Sequence, residues 1–81
     1  MSKPFVLACL PKNKRESVRI ALDQWQGHNL IDVRVVLRLT EHAAQLTPTG
    51  KGISLQAAMI PDLIRALTTA EAKARELGWR V

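Results

Sequence analysis

The chain has little that would suit a secreted or membrane-bound protein. Its 81 residues include one cysteine, Cys9, so no disulfide can form within the chain. A reducing compartment is therefore expected, the cytoplasm by default and the nucleoid if the source is bacterial. The apolar run Phe5–Leu10 lies between Pro4 and Pro11 and is too short for a signal-peptide core or a membrane span. Repeats and long polar linkers are also lacking, which predicts one soluble domain.

Patterns typical of catalytic and metal sites are lacking as well. His28 and His42 are the only histidines, and neither has a cysteine or a second carboxylate at ligand spacing. No serine, cysteine or histidine lies in a recognisable nucleophile setting. A phosphate-binding loop G-x-x-x-x-G-K-[ST] is excluded, because Gln45 stands at its first glycine and Gly52 follows Lys51. We therefore expect no enzymatic activity, no metal, no cofactor and no small-molecule substrate.

Positive charge is what the chain does have. Twelve Lys and Arg against seven Asp and Glu leave a net charge of +5. This balance favours a polyanionic partner, either nucleic acid or an anionic membrane. A membrane role is the weaker interpretation, because the helical pattern after Leu67 offers mostly alanine on its apolar side.

The front half of the chain alternates with a period of two, which is typical of strands with one buried face. This pattern predicts strands at Ser17–Asp23 and Leu30–Leu39. The residues between them include Gly27 and Asn29, which favour a turn, so the two strands form a hairpin with Trp25 near its tip. The second strand carries arginines on its polar side.

Gly50-Lys51-Gly52 predicts a sharp turn. Two glycines free the backbone and allow another molecule to approach closely, so the turn would present Lys51 to a phosphate. Short strands are expected on either side of this turn, around Ala44–Thr47 and at Gly52–Leu55. Together with the hairpin they make a four-stranded antiparallel meander.

The back half of the chain changes to helical spacing. Apolar residues between Met59 and Leu77 recur with a period near 3.6, which predicts one long amphipathic helix. Pro61 is expected in its first turn and Gly78 at its C-cap. Alternatively, Thr68 and Glu71 form a capping box that starts a second helix, but the alanine-rich sequence favours continuity.

The apolar stripe of this helix is wider than one sheet face can cover. Pairing with a second copy would bury the rest, which predicts a symmetric homodimer. The predicted fold class is therefore α+β, an antiparallel sheet followed by one C-terminal helix, with residues 1–14 as a basic lead-in and residues 15–81 as the domain. The predicted dimer contacts share the apolar helix stripe: Ile60, Leu63, Ile64 and Leu67.

Three segments together resemble a known family. KNKRESVRIAL, WQGHNLIDVRV and PTGKGISL, the last followed by a helix, are similar to the positive cofactor four family of transcriptional coactivators and its small bacterial relatives. The resemblance covers roughly Lys12 to Leu77. It implies four strands and a helix, a homodimer built through the helix, and curved sheets whose outer surfaces bind single-stranded or melted DNA with little sequence preference. RNA stays open as a ligand.

The resemblance also implies which residues bind DNA. It places the aromatic of the hairpin tip at Trp25, the strand arginine at Arg34 and the turn lysine at Lys51. Leu37 stands where eukaryotic members have a second stacking tryptophan, and Gln26 and His28 replace lysines. The remaining DNA-binding candidates are basic or lie beside the tip: Arg38, Lys12, Lys14, Arg15, Arg19 and His28.

Each of these residues also has a structural interpretation. Trp25 could cover the end of the core, and Lys51 could be a plain turn residue. Arg34 could be a strand arginine paired with Asp32 or Asp23. For the whole chain, the rival function is a dimeric protein-interaction adaptor in transcription, in which basicity is incidental.

Overall fold

The computed structural model describes residues 4–38 and 46–81. It contains one antiparallel sheet of four strands that lie side by side in chain order. The strands are β1 (Phe5–Pro11), β2 (Glu16–Trp25), β3 (His28–Leu37) and β4 (Thr47–Gln56). A 3-10 turn, Ala57–Met59, leads into the single helix α1 (Ile60–Glu76). The α+β fold class, a four-stranded antiparallel sheet followed by one C-terminal helix, is confirmed for the protomer.

The hairpin of β2 and β3 is the most regular part of the sheet. Its pairing runs without a shift from Glu16 opposite Leu37 to Trp25 opposite His28. The two residues between the strands have positive φ angles, 48° at Gln26 and 79° at Gly27. Positive φ at both central residues is the requirement of a type I′ turn, which matches the twist of the strands. The predicted hairpin with Trp25 at its tip is confirmed.

The pairing register divides the sheet into an apolar face and a polar face. Directly paired residues share a face, and neighbours along a strand alternate. The apolar face carries Phe5, Ala8, Leu10, Val18, Ile20, Leu22, Ile31, Val33, Val35, Leu37, Ile53 and Leu55, with Glu16, Gln24, Asn29 and Thr47 at its two ends. The polar face carries Cys9, Ser17, Arg19, Asp23, Trp25, His28, Leu30, Asp32, Arg34, Ser54 and Gln56, with the apolar Val6, Ala21 and Val36 among them. The charged side chains Arg19, Asp23, Asp32 and Arg34 are therefore gathered on the polar face.

Strand β1 was not predicted. Phe5–Pro11 falls within the expected lead-in, yet it pairs with β2 along its whole length. The register shifts between Val6 and Ala8, so Leu7 is the extra residue of a β-bulge. The bulge inverts the alternation halfway along the strand, and both faces of this edge strand are apolar. The sequence of β1 therefore shows no alternation of polar and apolar residues, which is why the strand was not predicted.

The predicted turn at Gly50-Lys51-Gly52 is wrong, because these residues lie inside the continuous strand β4. Arg34 pairs with Gly52 and Val36 pairs with Pro48, so three residues of β4 face one residue of β3. The glycines therefore mark a wide bulge in an edge strand. No separate strand ends at Thr47, where β4 begins; residues 44 and 45 of the predicted short strand lie outside the described residues.

Helix α1 begins and ends as the sequence predicts. Pro61 lies in the first turn, where its missing N–H costs least. At the other end Gly78 has a φ of 80°, its N–H bonds the Arg75 carbonyl, and the Trp79 N–H bonds the Ala74 carbonyl. These two bonds form a Schellman cap. Thr68 donates its hydroxyl to the Ile64 carbonyl in mid-helix, so the helix is continuous.

Much of the apolar surface of the protomer is open. In the described ranges α1 makes only marginal contact with the strands, and Ala74 is its one buried residue. The radius of gyration is 14.8 Å, whereas a compact chain of this length has about 12 Å. Ile64 and Leu67, two of the predicted dimer residues, are 58% and 60% exposed, while Ile60 and Leu63 are half-buried. A single sheet and helix thus leave the wide stripe uncovered.

The two glycines of the β4 bulge should respond differently to alanine. At Gly52 the φ is 154° and an added Cβ would lie 2.4 Å from the Val33 carbonyl oxygen. We expect Gly52→Ala to lower the free energy of unfolding by at least about 2 kcal/mol. Gly50 has nothing within 4 Å of an added Cβ, so Gly50→Ala should stay within about 0.5 kcal/mol of the parent. Urea unfolding of both variants checks this, and equal losses would contradict the bulge geometry.

Candidate nucleic-acid interface

A cluster of charged side chains occupies the centre of the polar face. Asp32 is only 8% exposed, and its carboxylate accepts hydrogen bonds from three neighbours. Arg34 donates Nη2 to Oδ1 at 2.9 Å and Nε to Oδ2 at 3.1 Å. Arg19 donates Nη2 to Oδ2 at 3.3 Å, and Ser54 donates Oγ to Oδ1 at 2.9 Å. We call Asp32, Arg19, Arg34 and Ser54 the central cluster.

The two arginines of the cluster face each other directly across β2 and β3. Like charges in this position repel, and the carboxylate of Asp32 offsets that repulsion because it bonds both guanidinium groups. Two cations and one anion leave the cluster with one net positive charge. The Nε of Arg19 is buried and has no hydrogen-bond partner within the described part of the chain.

Arg34 also forms a hydrogen bond to the backbone of β4. Its Nη1 donates to the Thr49 carbonyl at 2.9 Å, across the position of Gly52. A Cβ at Gly52 would lie 3.2 Å from the Cβ of Arg34, so the glycine leaves room for the arginine to cross β4. The interpretation of Arg34 as a strand arginine paired with Asp32 is what the structure shows. Its contact with DNA stays a prediction.

Burial and hydrogen bonding act in opposite directions on Asp32. Burial raises the pKa of Asp32, but the hydrogen bonds from Arg34, Ser54 and Arg19 outweigh it, and the net pKa lies below the usual range of an aspartate. The hydrogen bond to Asp32 in turn raises the pKa of Arg34. The cluster is therefore held in its charged form.

Trp25 and His28 lie at one end of the polar face. They are the last pair of the hairpin, and both side chains are exposed. Trp25 is 59% exposed, so it does not cover the end of the core in the protomer. An exposed indole on a rigid hairpin offers a flat surface on which a base can stack.

Lys51 lies towards the opposite end, on the bulge of β4. Its backbone N–H bonds the hydroxyl of Thr49 at 3.1 Å, and that hydroxyl donates to the Val35 carbonyl at 2.8 Å. The side chain of Lys51 is exposed and forms no ion pair within the described ranges. Arg34, the partner of Gly52, is six positions after His28 on β3. At about 3.3 Å per residue, the tip and the bulge are about 20 Å apart along the sheet.

The loop between β1 and β2 adds positive charge at the same end as Lys51. Asn13 bonds the side chain of Glu16 at 2.9 Å and its backbone N–H at 2.8 Å, which orders the loop. The hydrogen bond from Asn13 and the nearby charges of Lys12 and Lys51 lower the pKa of Glu16. Both lysines thus act on one carboxylate, which places them at one end of the sheet. Lys14 is exposed in the same loop.

The predicted residues thus form three groups along the sheet. Trp25 and His28 lie at the tip, Arg19 and Arg34 in the centre, and Lys51 with the loop at the far end. Leu37 lies on the apolar face, where it pairs with Glu16. The backbone of Arg38 bonds the Arg15 carbonyl at 2.7 Å, which ties the end of β3 to the loop.

Asp32 and Ser54 were missed as site residues. The alignment of Ser54 with Asp32 depends on the register of β3 against β4, which the bulge obscures. The sequence showed only that Asp32 and Arg34 are two positions apart, so that they share one face of a strand. Among residues 4–38 and 46–81, no group of His, Cys, Asp and Glu side chains could hold a metal ion. In the same residues, no helix is both long and apolar enough to cross a membrane.

Comparison with known proteins supports the resemblance. Residues 12–66 match the model of the Transcriptional Coactivator p15 (PC4) family. A PC4 homologue from Burkholderia pseudomallei is similar in its orthorhombic crystal form, with a TM-score of 0.75 and 24% identity over 88% of this chain and 93% of that chain. Its tetragonal form gives a TM-score of 0.72 and 25% identity over 85% and 98%. A search of curated protein sequences found no match.

The central cluster should make stability depend on pH in acid. Because the pKa of Asp32 is lower in the folded state, its contribution is complete above the ordinary pKa near 4 and is lost as the pH falls through the folded value. Asp32→Asn should be about 3 kcal/mol less stable at neutral pH. Urea unfolding between pH 2 and 7 should show this difference shrinking below about pH 4.

Glu16 also has a lowered pKa, so the comparison between variant and parent isolates Asp32. Asp62→Asn, at an exposed carboxylate on α1, is the matched control and should change stability little. A constant difference between Asp32→Asn and the parent down to pH 2 would contradict the role of the carboxylate.

Proposed function

Because the chain belongs to the Transcriptional Coactivator p15 (PC4) family, we propose that it binds single-stranded or melted DNA with little sequence preference. The binding surface is the polar face of the sheet, and the process is transcription or DNA maintenance. One observation carries this proposal: an exposed tryptophan and an exposed lysine, which has no ion pair with any described residue, lie on one sheet about 20 Å apart, with a positive cluster between them.

The chemistry of a single strand fits this surface. Its phosphates are neutralised by lysine and arginine with release of counterions, and its unpaired bases stack on an aromatic ring. Duplex DNA hides its base faces, so Trp25 has nothing to stack on in an intact duplex. A preference for single strands, bubbles and frayed ends follows.

The electrostatic contribution is unequal along the surface. The central cluster carries one net charge, because Asp32 is paired with both of its arginines. Binding of a phosphate there releases fewer counterions than two free arginines would. Lys51 and the basic loop between β1 and β2 therefore supply most of the salt dependence, while Trp25 supplies contact that salt affects little.

The protomer also presents a surface that fits a second copy. On α1 the half-buried Ile60 and Leu63 continue into the exposed Ile64 and Leu67. A stripe of this kind on a helix that stands away from its own sheet is stable in water only when another apolar surface covers it. We therefore propose a homodimer built through α1, which would bring two polar faces into one particle.

Substitutions at the two ends of the polar face should have different signatures. Trp25→Ala should weaken binding of oligo-dT by about 1–3 kcal/mol with little change in salt slope, because stacking releases no counterions. Lys51→Ala should weaken all single strands equally and reduce the salt slope by about 0.7 per site. Fluorescence anisotropy of labelled oligo-dT at four salt concentrations measures both.

Trp25→Phe and Lys73→Ala are the controls, since the first retains a stacking ring and the second removes an exposed lysine of α1. The corresponding duplex should bind more weakly than the single strand to every variant. If the folded parent protein binds neither strand nor duplex at low salt, the adaptor function replaces the proposal. An unchanged salt slope in Lys51→Ala would remove Lys51 from the interface.

Two substitutions on α1 test the homodimer. Leu67→Glu places a charge in the apolar stripe and should dissociate or unfold the protein, because an unpaired charge in an apolar interface is strongly unfavourable. Thr69 lies on the side of α1 opposite the apolar stripe, so Thr69→Glu should leave the assembly intact. Sedimentation equilibrium at micromolar concentration checks both variants, and a well-folded parent monomer would contradict the dimer.

A further inference from the structure

Trp79 is a large apolar side chain that the protomer leaves uncovered. It follows the C-terminal end of α1 and is 66% exposed. Its backbone is nevertheless fixed, because its N–H bonds the Ala74 carbonyl at 2.8 Å in the Schellman cap. The residue at this position of such a cap usually packs on the residue whose carbonyl it bonds, and Ala74 is the one buried residue of α1. Trp79 is therefore held at the helix end.

An open groove of about 410 Å³ lies on the apolar face of the sheet, at the end of the hairpin tip. Its apolar lining is Phe5 from β1, Leu22 from β2 and Ala57 from the turn before α1. Phe5 is 74% exposed, so no described part of the same chain covers it. The remaining lining residues lie towards the tip: Asp23, Gln24, Asn29 and Leu30.

The groove suits an indole ring in size and in chemistry. A cavity of about 150 Å³ accommodates benzene, so this groove has room for the two fused rings of tryptophan. Its apolar lining removes the ring from water, and Phe5 offers an aromatic contact. The side-chain oxygen of Asn29 accepts Gln24 Nε2 at 2.8 Å and has a second lone pair for the indole N–H.

The groove and Trp79 of one protomer lie at opposite ends of α1. The helix rises about 1.5 Å per residue, so Trp79 is about 28 Å from Ile60, whereas Ala57 in the groove comes three residues before Ile60. The helix also makes only marginal contact with its own sheet. Trp79 is therefore out of reach of its own groove, and a second copy is needed to bring the two together.

An antiparallel pair of α1 helices provides this arrangement. A two-fold axis that crosses the helices makes them antiparallel, which opposes their dipoles and keeps the two sheets apart. The apolar stripe is centred near Leu63 and Ile64, so the partner's Trp79 lies about 18 Å beyond Ile60. Because α1 leads away from its own sheet, the partner helix leads towards it. Three strand spacings, from β4 to β1, are about 14 Å, so this reach extends to the groove.

We propose that Trp79 of each protomer docks in the apolar groove of its partner and anchors the homodimer. The inference rests on the proposed homodimer and adds to it a contact between the helix end and the sheet. Two-fold symmetry gives each dimer two such contacts. Tryptophan is among the residues on which the affinity of an interface most often depends.

Trp79→Ala should raise the dissociation constant of the dimer at least about thirtyfold, as expected for a buried tryptophan of an interface. Sedimentation equilibrium of the full chain measures it. Val81→Ala removes another exposed apolar side chain and should change the constant less than about threefold. An unchanged constant in folded Trp79→Ala would overturn the anchor and leave the dimer. A parent protein that stays monomeric would overturn the proposed dimer as well.

Phe5→Ala tests the other side of the contact. It should weaken the dimer, and its combination with Trp79→Ala should weaken it less than the product of the two single effects, because residues in contact are coupled. Leu7→Ala, also exposed on β1 but outside the groove, should combine with Trp79→Ala without coupling. Independent effects of Phe5→Ala and Trp79→Ala would overturn the placement of Trp79 in the groove.

Fluorescence tests the burial of Trp79 without removing it. The chain has two tryptophans, so Trp25→Phe reports Trp79 alone and Trp79→Phe reports Trp25 alone. Their exposures in the protomer are similar, 66% and 59%, so a difference between them in the dimer reports cover by the partner. Trp79 should emit at shorter wavelength and be quenched less by acrylamide than Trp25. Equal quenching of the two at a concentration where sedimentation shows the dimer would overturn the anchor.

Discussion

One buried carboxylate organises the polar face of the sheet. Asp32 on β3 receives hydrogen bonds from Arg19 on β2, from Arg34 on its own strand and from Ser54 on β4. Arg34 extends the network to the Thr49 carbonyl at the bulge. Three strands are therefore joined by side chains as well as by their backbone ladders. Without this anion, two arginines directly opposite each other would repel, and the centre of the polar face would lose its geometry.

This constraint gives the proposed interface a rigid centre and adaptable ends. The central arginines are half-buried and held by hydrogen bonds. Their side chains therefore lose conformational entropy on folding, and little more would be lost on binding. Trp25 and Lys51 are exposed, so under the proposed function their side chains adjust to the strand that binds. A surface that tolerates many sequences needs this combination, because phosphates recur regularly while the bases between them vary in size.

The sequence predicted the local features and missed those that depend on register. The type I′ turn at Gln26 and Gly27 and the helix from Ile60 to Glu76 each follow from neighbouring residues, so periodicity and turn chemistry were sufficient. Strand β1 and the course of β4 each contain a bulge. The one extra residue of β1 reverses the alternation on which strand prediction depends, and in β4 a glycine pair looks the same in a bulge as in a turn. The clustering of Asp32 with Ser54 could not be seen for the same reason.

The two glycines beside Lys51 suggested that a sharp turn exposes this lysine. In the structure a bulge within β4 exposes it instead. Gly52 is required because β3 passes too close for a side chain, and because Arg34 must cross β4 at that point. Gly50 meets no such restriction. The extra residues of β4 have no ladder partner on β3, and a bulge of this kind bends the strand at Lys51. The lysine is thus presented by an irregularity within a strand, held in place by the same network that fixes the central arginines.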